Sequence, residues 1–300
     1  MDYSAFRFVA VVDFIEIEIH TAQKHLGGAI HNRLSILGFS HFTPVQANAG
    51  GWDSTFRTRL YDLKTFAALQ AKVASIQAEV PFSSPFTITR IEAAFDGYLK
   101  DDMQNSAGAD ELLAALAARM VYRIARPVSE NRRIYRDYKG SPTAIPRHFE
   151  TLKRQMGDGW NVGIGNKTDD QYQHGYLKTI DYNEKKLPQN LHRARFEIRL
   201  AGANLPHSDV DSWASFKFES LASHLSFREE DDTASTFKQA IVSAYADRAS
   251  HRKSIKRRDG GGIRHNIMPA DDELNRIVRQ RLQTLSKRWK RAPAGRKKAQ

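Results

Sequence analysis

Cysteine is absent from this chain, so disulfides, thiolate zinc sites and a cysteine nucleophile are excluded, and a reducing compartment suits it. No basic stretch followed by an apolar run opens the sequence, and no apolar run approaches the ~20 residues of a membrane span. The expectation is a soluble protein that stays in the cytoplasm and uses no membrane. Nor is there an internal repeat on the order of 20–50 residues, which sets solenoids and propellers aside. What is present is 300 residues, 41% of them hydrophobic, sufficient for a real core in one large or two ordinary domains.

Charge is unevenly placed. Residues 251–300 carry 16 Lys and Arg against 4 Asp and Glu, which is the whole formal excess of +12. The first 250 residues are balanced. Such segregation points to a polyanionic partner and disfavours a purely structural role.

Period-two alternation predicts strands over Phe6–Ile19, Ser54–Tyr61, Phe86–Tyr98, Trp160–Gly165, Tyr172–Ile180 and Arg193–Leu200. Helical spacing predicts helices over Thr21–Leu37, Lys64–Val80, Asp110–Ile124, Ser208–Leu225, Thr233–Ala249 and Asp271–Arg291. In the first strand Asp13 is expected on the core face with Ile15, Ile17 and Ile19. Glu16, Glu18 and His20 share the other face, as metal ligands or as an ordinary solvated edge. The fold expected is α+β, a central, largely antiparallel sheet with helices on one face and the site on the other, followed by a helical C-terminal region and a basic tail.

The chemistry concentrates between Trp160 and Leu200. Tyr176 and Lys178 share one face of their strand, and Arg195, Glu197 and Arg199 share a face of the next. Arginine forks bind phosphate, a carboxylate can hold a divalent metal, and a phenol can act as nucleophile. A mixed sheet with one solvated face would give the same spacing. In the strand at 86–98, Glu92 and Asp96 face the same way with Ala94 between them, an oxygen pair that favours Mg²⁺ or Mn²⁺ over zinc. Arg123, Arg126, Arg132, Arg133, Arg136, Lys139 and Arg147 interleave with Tyr135 and Tyr138, a composition that suits single-stranded nucleic acid and equally a solvated loop. Lys253, Lys256, Arg257 and Arg258 lead into the Gly260–Gly262 hinge, and the tail beyond is expected to hold nucleic acid through its phosphates.

Five segments occur in a telling order: the opening strand with Asp13, Arg90-Ile-Glu-Ala-Ala-Phe-Asp96, Val162-Gly-Ile-Gly-Asn166, Gly175-Tyr-Leu-Lys178 and Arg195-Phe-Glu-Ile-Arg199. Over residues 8–200 this resembles the replication initiation factors of rolling-circle plasmids, filamentous phages and integrative elements. The resemblance implies that Tyr176 attacks a phosphodiester of origin DNA, leaving a 5′-phosphotyrosine and a free 3′-OH. It implies a divalent metal, Mg²⁺ or Mn²⁺, on Glu92, Asp96 and Glu197. Lys178 would assist at the catalytic centre, with Lys178, Arg195 and Arg199 on the phosphate and Arg132, Arg133, Lys256, Arg257 and Arg258 along the DNA. Implied partners are single-stranded or supercoiled origin DNA, a helicase and polymerase of a bacterial host, and a second copy of the chain. Tyr172 and Tyr182 stand close enough to compete as nucleophile, but only Tyr176 has a lysine two residues on. The division expected is a nicking domain over 1–206, a helical extension over 207–250, and hinge, helix and tail over 251–300. Two other readings fit the residues: a non-catalytic nucleic-acid-binding protein whose tyrosine stacks on bases, and a conjugative relaxase of the same chemistry.

Overall fold

The computed structural model describes residues 1–39, 41–104, 106–124, 132–136, 142–146, 148–181, 185–229 and 270–291. The expected helix Thr233–Ala249, the Gly260–Gly262 hinge, the basic residues Arg126, Lys139, Arg147, Lys253, Lys256, Arg257 and Arg258, and Tyr138 and Tyr182 all lie outside them. Strands β1 (Phe6–Leu26), β2 (Thr43–Pro44), β3 (Trp52–Tyr61), β4 (Thr87–Leu99), β5 (Arg132–Tyr135), β6 (Thr143–Ala144), β7 (Asn161–Ile164), β8 (Gln171–Lys178) and β9 (Arg193–Ala201) are described. They form one sheet in the order β2-β3-β1-β4-β9-β8-β7-β5-β6. The pairs β1/β3, β2/β3, β5/β6, β5/β7 and β7/β8 are antiparallel. The helices are α1 (Gly27–Ser35), α2 (Phe66–Glu79), α3 (Ala109–Arg123), α4 (Phe149–Gly157), α5 (Val210–Ala214) and α6 (Asp272–Trp289). This is the α+β class that the alternation predicts.

The chain resolves into two compact units, one of Met1–Ala10, Ala94–Ile198 and Glu219–Leu282, the other of Val11–Ala93, Arg199–Phe218 and Gln283–Gln300. Their boundaries are interleaved along the chain.

In the first unit α3 is buried nearly all round, from Ala109 and Leu113 through Arg123. Its alanines let it lie close, and the strands answer with glycines. A Cβ on Gly175 of β8 would collide with Val121 Cγ2, and one on Gly97 of β4 would stand 2.5 Å from Leu116 Cδ2. Arg132 donates from Nη1 to Val121 O at 2.8 Å and from Nη2 to Ile124 O at 3.4 Å, so its cation serves the last carbonyls of α3. The start of α6 is fixed here too. Asn275 exchanges two hydrogen bonds with the Phe227 backbone, and Asp271 Oδ2 accepts from Tyr3 Oη at 2.6 Å and from Arg119 Nη2 at 3.1 Å.

In the second unit β3 sends Phe56, Thr58 and Leu60 into the core, while α2 buries Leu69, Val73 and Ile76. Thr65 caps α2 by accepting from Ala68 N at 3.1 Å. Ser286 Oγ of α6 accepts from Phe218 N, and Trp289 Nε1 donates to Trp213 O at 2.7 Å. Both parts of α6 are therefore tied down, each within its own unit.

Three local expectations are corrected. The helix expected from Thr21 begins at Gly27, because β1 runs on to Leu26, pairing His25 with Asp53 and Leu26 with Trp52 after a register shift past His20. Thr21 Oγ1 donates to Gln23 O and Ser54 O. Asp13 does not share the core face: burial follows Phe6, Phe8, Ala10 and Val12, then changes phase to Ile15, Ile17 and Ile19, leaving Asp13 half-buried. The helix expected over Ser208–Leu225 divides into α5 and a 3-10 turn at Phe218–Leu225, with Trp213, Phe216 and Leu221 buried and Val210 half-buried.

Gly175 sits where β8 and α3 touch, so Gly175→Ala should destabilise the fold by about 1–3 kcal/mol. Urea denaturation of the two proteins measures this; an unchanged midpoint would show that α3 is free to move away.

Candidate active site

Strand register decides which side chains share the face opposite α3. Across β5, β7 and β8 one row reads Arg133, Gly163, His174, and the next reads Tyr135, Asn161, Tyr176. Cross-strand partners stand on the same side of a sheet. Tyr172, His174, Tyr176 and Lys178 therefore share a face with Tyr135 and the exposed Arg133, while Gly175 turns to α3. On β9 the same alternation packs Phe196 against Phe227 and presents Arg195 and Glu197 beside Tyr176.

The half-buried Tyr176 donates its hydroxyl to Glu197 Oε1 at 2.8 Å. Arg195 Nη1 reaches the same oxygen at 3.3 Å, and His174 Nδ1 lies 3.2 Å from Oε2. The His174 and Tyr176 rings are 4.6 Å apart. Arg195, only 4% exposed, gives Nε and Nη2 to the two oxygens of Asp96 at 2.7 and 2.8 Å. Arg193 approaches Asp96 Oδ2 at 3.4 Å. The metal ligand expected at Asp96 is thus the partner of a buried arginine fork. Lys178 pairs with Asp181 at 3.6 Å.

Burial alone would raise the Glu197 carboxyl. The His174 hydrogen bond, the Arg195 charge and the Tyr176 hydroxyl outweigh it and hold the group well below the usual carboxylate range. Burial would likewise lower Arg195, but Asp96 and Glu197 keep it well above its usual value. So stable a carboxylate is a weak base toward a phenol, whose ordinary pKa is ~10. Glu197 aims the Tyr176 hydroxyl, and Arg195 supplies positive charge at the same oxygen.

In the second unit, Arg199 donates from Nε to Glu92 Oε2 at 2.8 Å, and its Nη2 lies 2.7 Å from the same oxygen. Glu16 takes Arg59 and Arg90, and Glu18 takes Arg57, so the glutamates read as possible metal ligands form an ion-pair ladder between β1 and its neighbours. His20 Nδ1 lies 3.1 Å from Thr55 Oγ1. Asp13 and Glu92 bring carboxylate oxygens within 4.8 Å of each other.

Tyr135, expected among bases, is 6% exposed, its hydroxyl 2.9 Å from His174 Nε2 and 3.2 Å from the Tyr172 hydroxyl. Tyr172, a rival nucleophile, is 4% exposed and lies across the space where a Cβ on Gly163 would stand. Its phenol is buried over Gly163, whereas Tyr176 is half-buried. Sequence reasoning missed His174 and Tyr135 as members of the site. The signal for His174 was available, since Tyr172, His174, Tyr176 and Lys178 alternate on one face.

No family model and no curated protein matches the chain. Among solved structures it is similar to a rolling circle replication initiator protein from Geobacillus stearothermophilus, with TM-score 0.32 and 14% identity over 78% of this chain and 92% of that one. It is also similar to the aspartate kinase of Clostridium acetobutylicum, with TM-score 0.20 and 11% identity over 65% of this chain and 31% of that one. The regulatory subunit of aspartate kinase from Thermus flavus follows, with TM-score 0.19 and 10% identity over 66% and 89%. Likenesses at these scores assign no family. Among the described residues no helix is long and apolar enough to cross a membrane.

Because Glu197 is held low in the folded state, its contribution to stability is full above the unfolded carboxyl's ~4.3 and is lost as pH falls through the folded value. Glu197→Gln should cost roughly 1.5–3 kcal/mol at neutral pH. The wild-type advantage should shrink in acid, as read from urea midpoints across roughly pH 3–7. An advantage that persists or grows in acid would contradict the assignment.

Proposed function

We propose that this chain is a DNA replication initiation protein of a plasmid, phage or integrative element, which nicks and rejoins one origin strand through Tyr176. The observation that carries the reading is the half-buried Tyr176 hydroxyl, held by Glu197 beside the buried cation of Arg195. The order of the five sequence segments and the excess of positive charge support it.

In the proposed step the phenolic oxygen attacks phosphorus, the bond from phosphorus to the 3′ oxygen breaks, and that oxygen leaves carrying a proton. The strand's 5′ phosphate remains on Tyr176, and the free 3′-OH can be extended by a host polymerase, with a host helicase opening the duplex. Attack by a 3′-OH reverses the step without nucleotide hydrolysis, because the phosphotyrosine keeps the energy of the original bond. Glu197 orients the attacking O–H, and Arg195 stabilises charge from beneath the face. Arg133, exposed on the same face, and Lys178 bind the strand's phosphates, while the segment with Lys256, Arg257 and Arg258 adds salt-dependent affinity without sequence reading.

A divalent ion, Mg²⁺ or Mn²⁺, belongs to the same proposal. In the second unit Asp13 and Glu92 bring two carboxylates close enough to hold it, Glu92 sharing one oxygen with Arg199. Asp96 fits poorly, with both oxygens bonded to Arg195, and Glu197 is engaged by Tyr176, His174 and Arg195. When bound, the ion would neutralise charge on a phosphate.

Incubation with single-stranded and supercoiled DNA from the encoding replicon, with Mg²⁺, Mn²⁺ or EDTA, should yield a metal-dependent covalent protein–DNA adduct that maps to Tyr176. Tyr176→Phe should lower its yield on the order of 10³-fold or more. An adduct on Tyr172 or Tyr182 would move the nucleophile. DNA binding intact in EDTA with no adduct would leave the non-catalytic reading, in which Tyr176 stacks on bases.

A further inference from the structure

Behind Glu197 runs a string of side chains that the proposed reaction does not touch. With His174 neutral, the string's direction follows from donor and acceptor counting. The ionised carboxylate of Glu197 only accepts, so His174 Nδ1, 3.2 Å from Oε2, carries the hydrogen. In the neutral imidazole Nε2 then offers a lone pair, which Tyr135 fills by donating its hydroxyl at 2.9 Å. The Tyr135 oxygen in turn accepts from the Tyr172 hydroxyl at 3.2 Å.

The surroundings hold the string in this arrangement. Tyr135 lies nearly parallel to His174, with ring centres 5.8 Å apart and an angle of 12°. Tyr172 reaches Tyr135 only because Gly163 presents no side chain in its way. Both tyrosines are buried, so water does not compete at the far end.

We infer that Tyr135 and His174 are positioning residues for Tyr176, with Tyr135 fixing the tautomer and plane of His174, and His174 fixing both the Glu197 carboxylate and the Tyr176 ring. The inference rests on the proposed nucleophile for its catalytic consequence, but the brace itself is a property of the folded chain. His174 acts twice on Tyr176, through the shared carboxylate and through ring contact at 4.6 Å. Losing the Tyr135 hydroxyl leaves the imidazole free to change tautomer, and Glu197 then loses its directed donor. A phenol must meet phosphorus in line, so a small rotation of its acceptor is felt in the rate before it is felt in binding.

Tyr135→Phe removes one hydroxyl and keeps the ring. The first readout is the ¹⁵N spectrum of histidine-labelled full-length protein, with the His174 signals assigned by their loss in His174→Gln. Wild type should show a single Nδ1–H tautomer at His174, and Tyr135→Phe a mixture. The second readout is single-turnover adduct formation on a saturating single-stranded oligonucleotide carrying the nicked sequence. Tyr135→Phe should slow it roughly 10- to 100-fold with the oligonucleotide Kd within about twofold. Tyr172→Phe, which removes a link one step further from His174, should have a smaller effect on both. An unchanged His174 spectrum in Tyr135→Phe overturns the inference, as does an unchanged adduct rate, or a rate loss matched by equal losses of affinity and thermal stability. If wild type forms no adduct on any replicon DNA, the nicking reading fails, and the spectrum alone decides whether Tyr135 orders His174.

Discussion

A guanidinium taken out of water must find its counter-charge and its hydrogen-bond acceptors inside the protein, and Arg195 finds them in Asp96 and Glu197. Removing a charge of this kind from solvent costs several kcal/mol, recovered only when geometry is good and the partners are themselves satisfied. Both conditions hold on this face. Asp96 gives its two oxygens to the guanidinium fork, which leaves Glu197 as the carboxylate that can be shared. Tyr176 is held by that sharing, so the position of the phenol depends on the bond between Arg195 and Asp96, which are 99 residues apart in the chain.

The same logic explains why two of the sequence segments belong together. Asp96 meets Arg195 and Glu92 meets Arg199, so four residues forward on β4 correspond to four residues back on β9. That is the arithmetic of antiparallel neighbours. The pattern Arg90-Ile-Glu-Ala-Ala-Phe-Asp96 and the pattern Arg195-Phe-Glu-Ile-Arg199 supply the two partners of each of these ion pairs. A carboxylate has the same spacing whether it faces a guanidinium or an ion, and for this reason the sequence led to a metal reading of Asp96. The arginine that claims it could be recognised only once the strands were paired.

Alternation made most of the sheet legible in advance. β3, β4, β8 and β9 fall within two residues of their expected bounds, because buried and polar side chains alternate cleanly along them. It failed where another rule overrode period two. At Thr21 a plausible helix cap was captured by cross-strand pairing, and Gly27 and Gly28 marked the true start of the helix. Near Asp13 the alternation changes phase, so counting from either end gives a different face. Tyr135 and Arg132 were invisible as structural residues, since a basic, aromatic segment reads as a nucleic-acid surface until the fold shows Tyr135 buried against His174 and Arg132 capping α3.

Glycine at two positions lets the sheet do different work on its two faces. Gly175 brings α3 tight against β8, which fixes the backbone on either side of it, and Tyr176 inherits that rigidity on the opposite face. Gly163 opens the floor beneath Tyr172, so the hydrogen-bond string can run from β5 through β8 to β9. On the proposed reaction this rigidity has a chemical counterpart. Glu197 is too weak a base to ionise a free phenol, but a phenolic oxygen already bonding to phosphorus is far more acidic, so the proton can pass to Glu197 late in the attack. A protonated Glu197 would face Arg195 without its charge, an unfavourable state that favours returning the proton to the departing 3′ oxygen. In the proposed reaction, the tight charge partnership that makes Glu197 a poor reservoir for a proton would therefore make it a good carrier of one, in either direction of a reversible transfer.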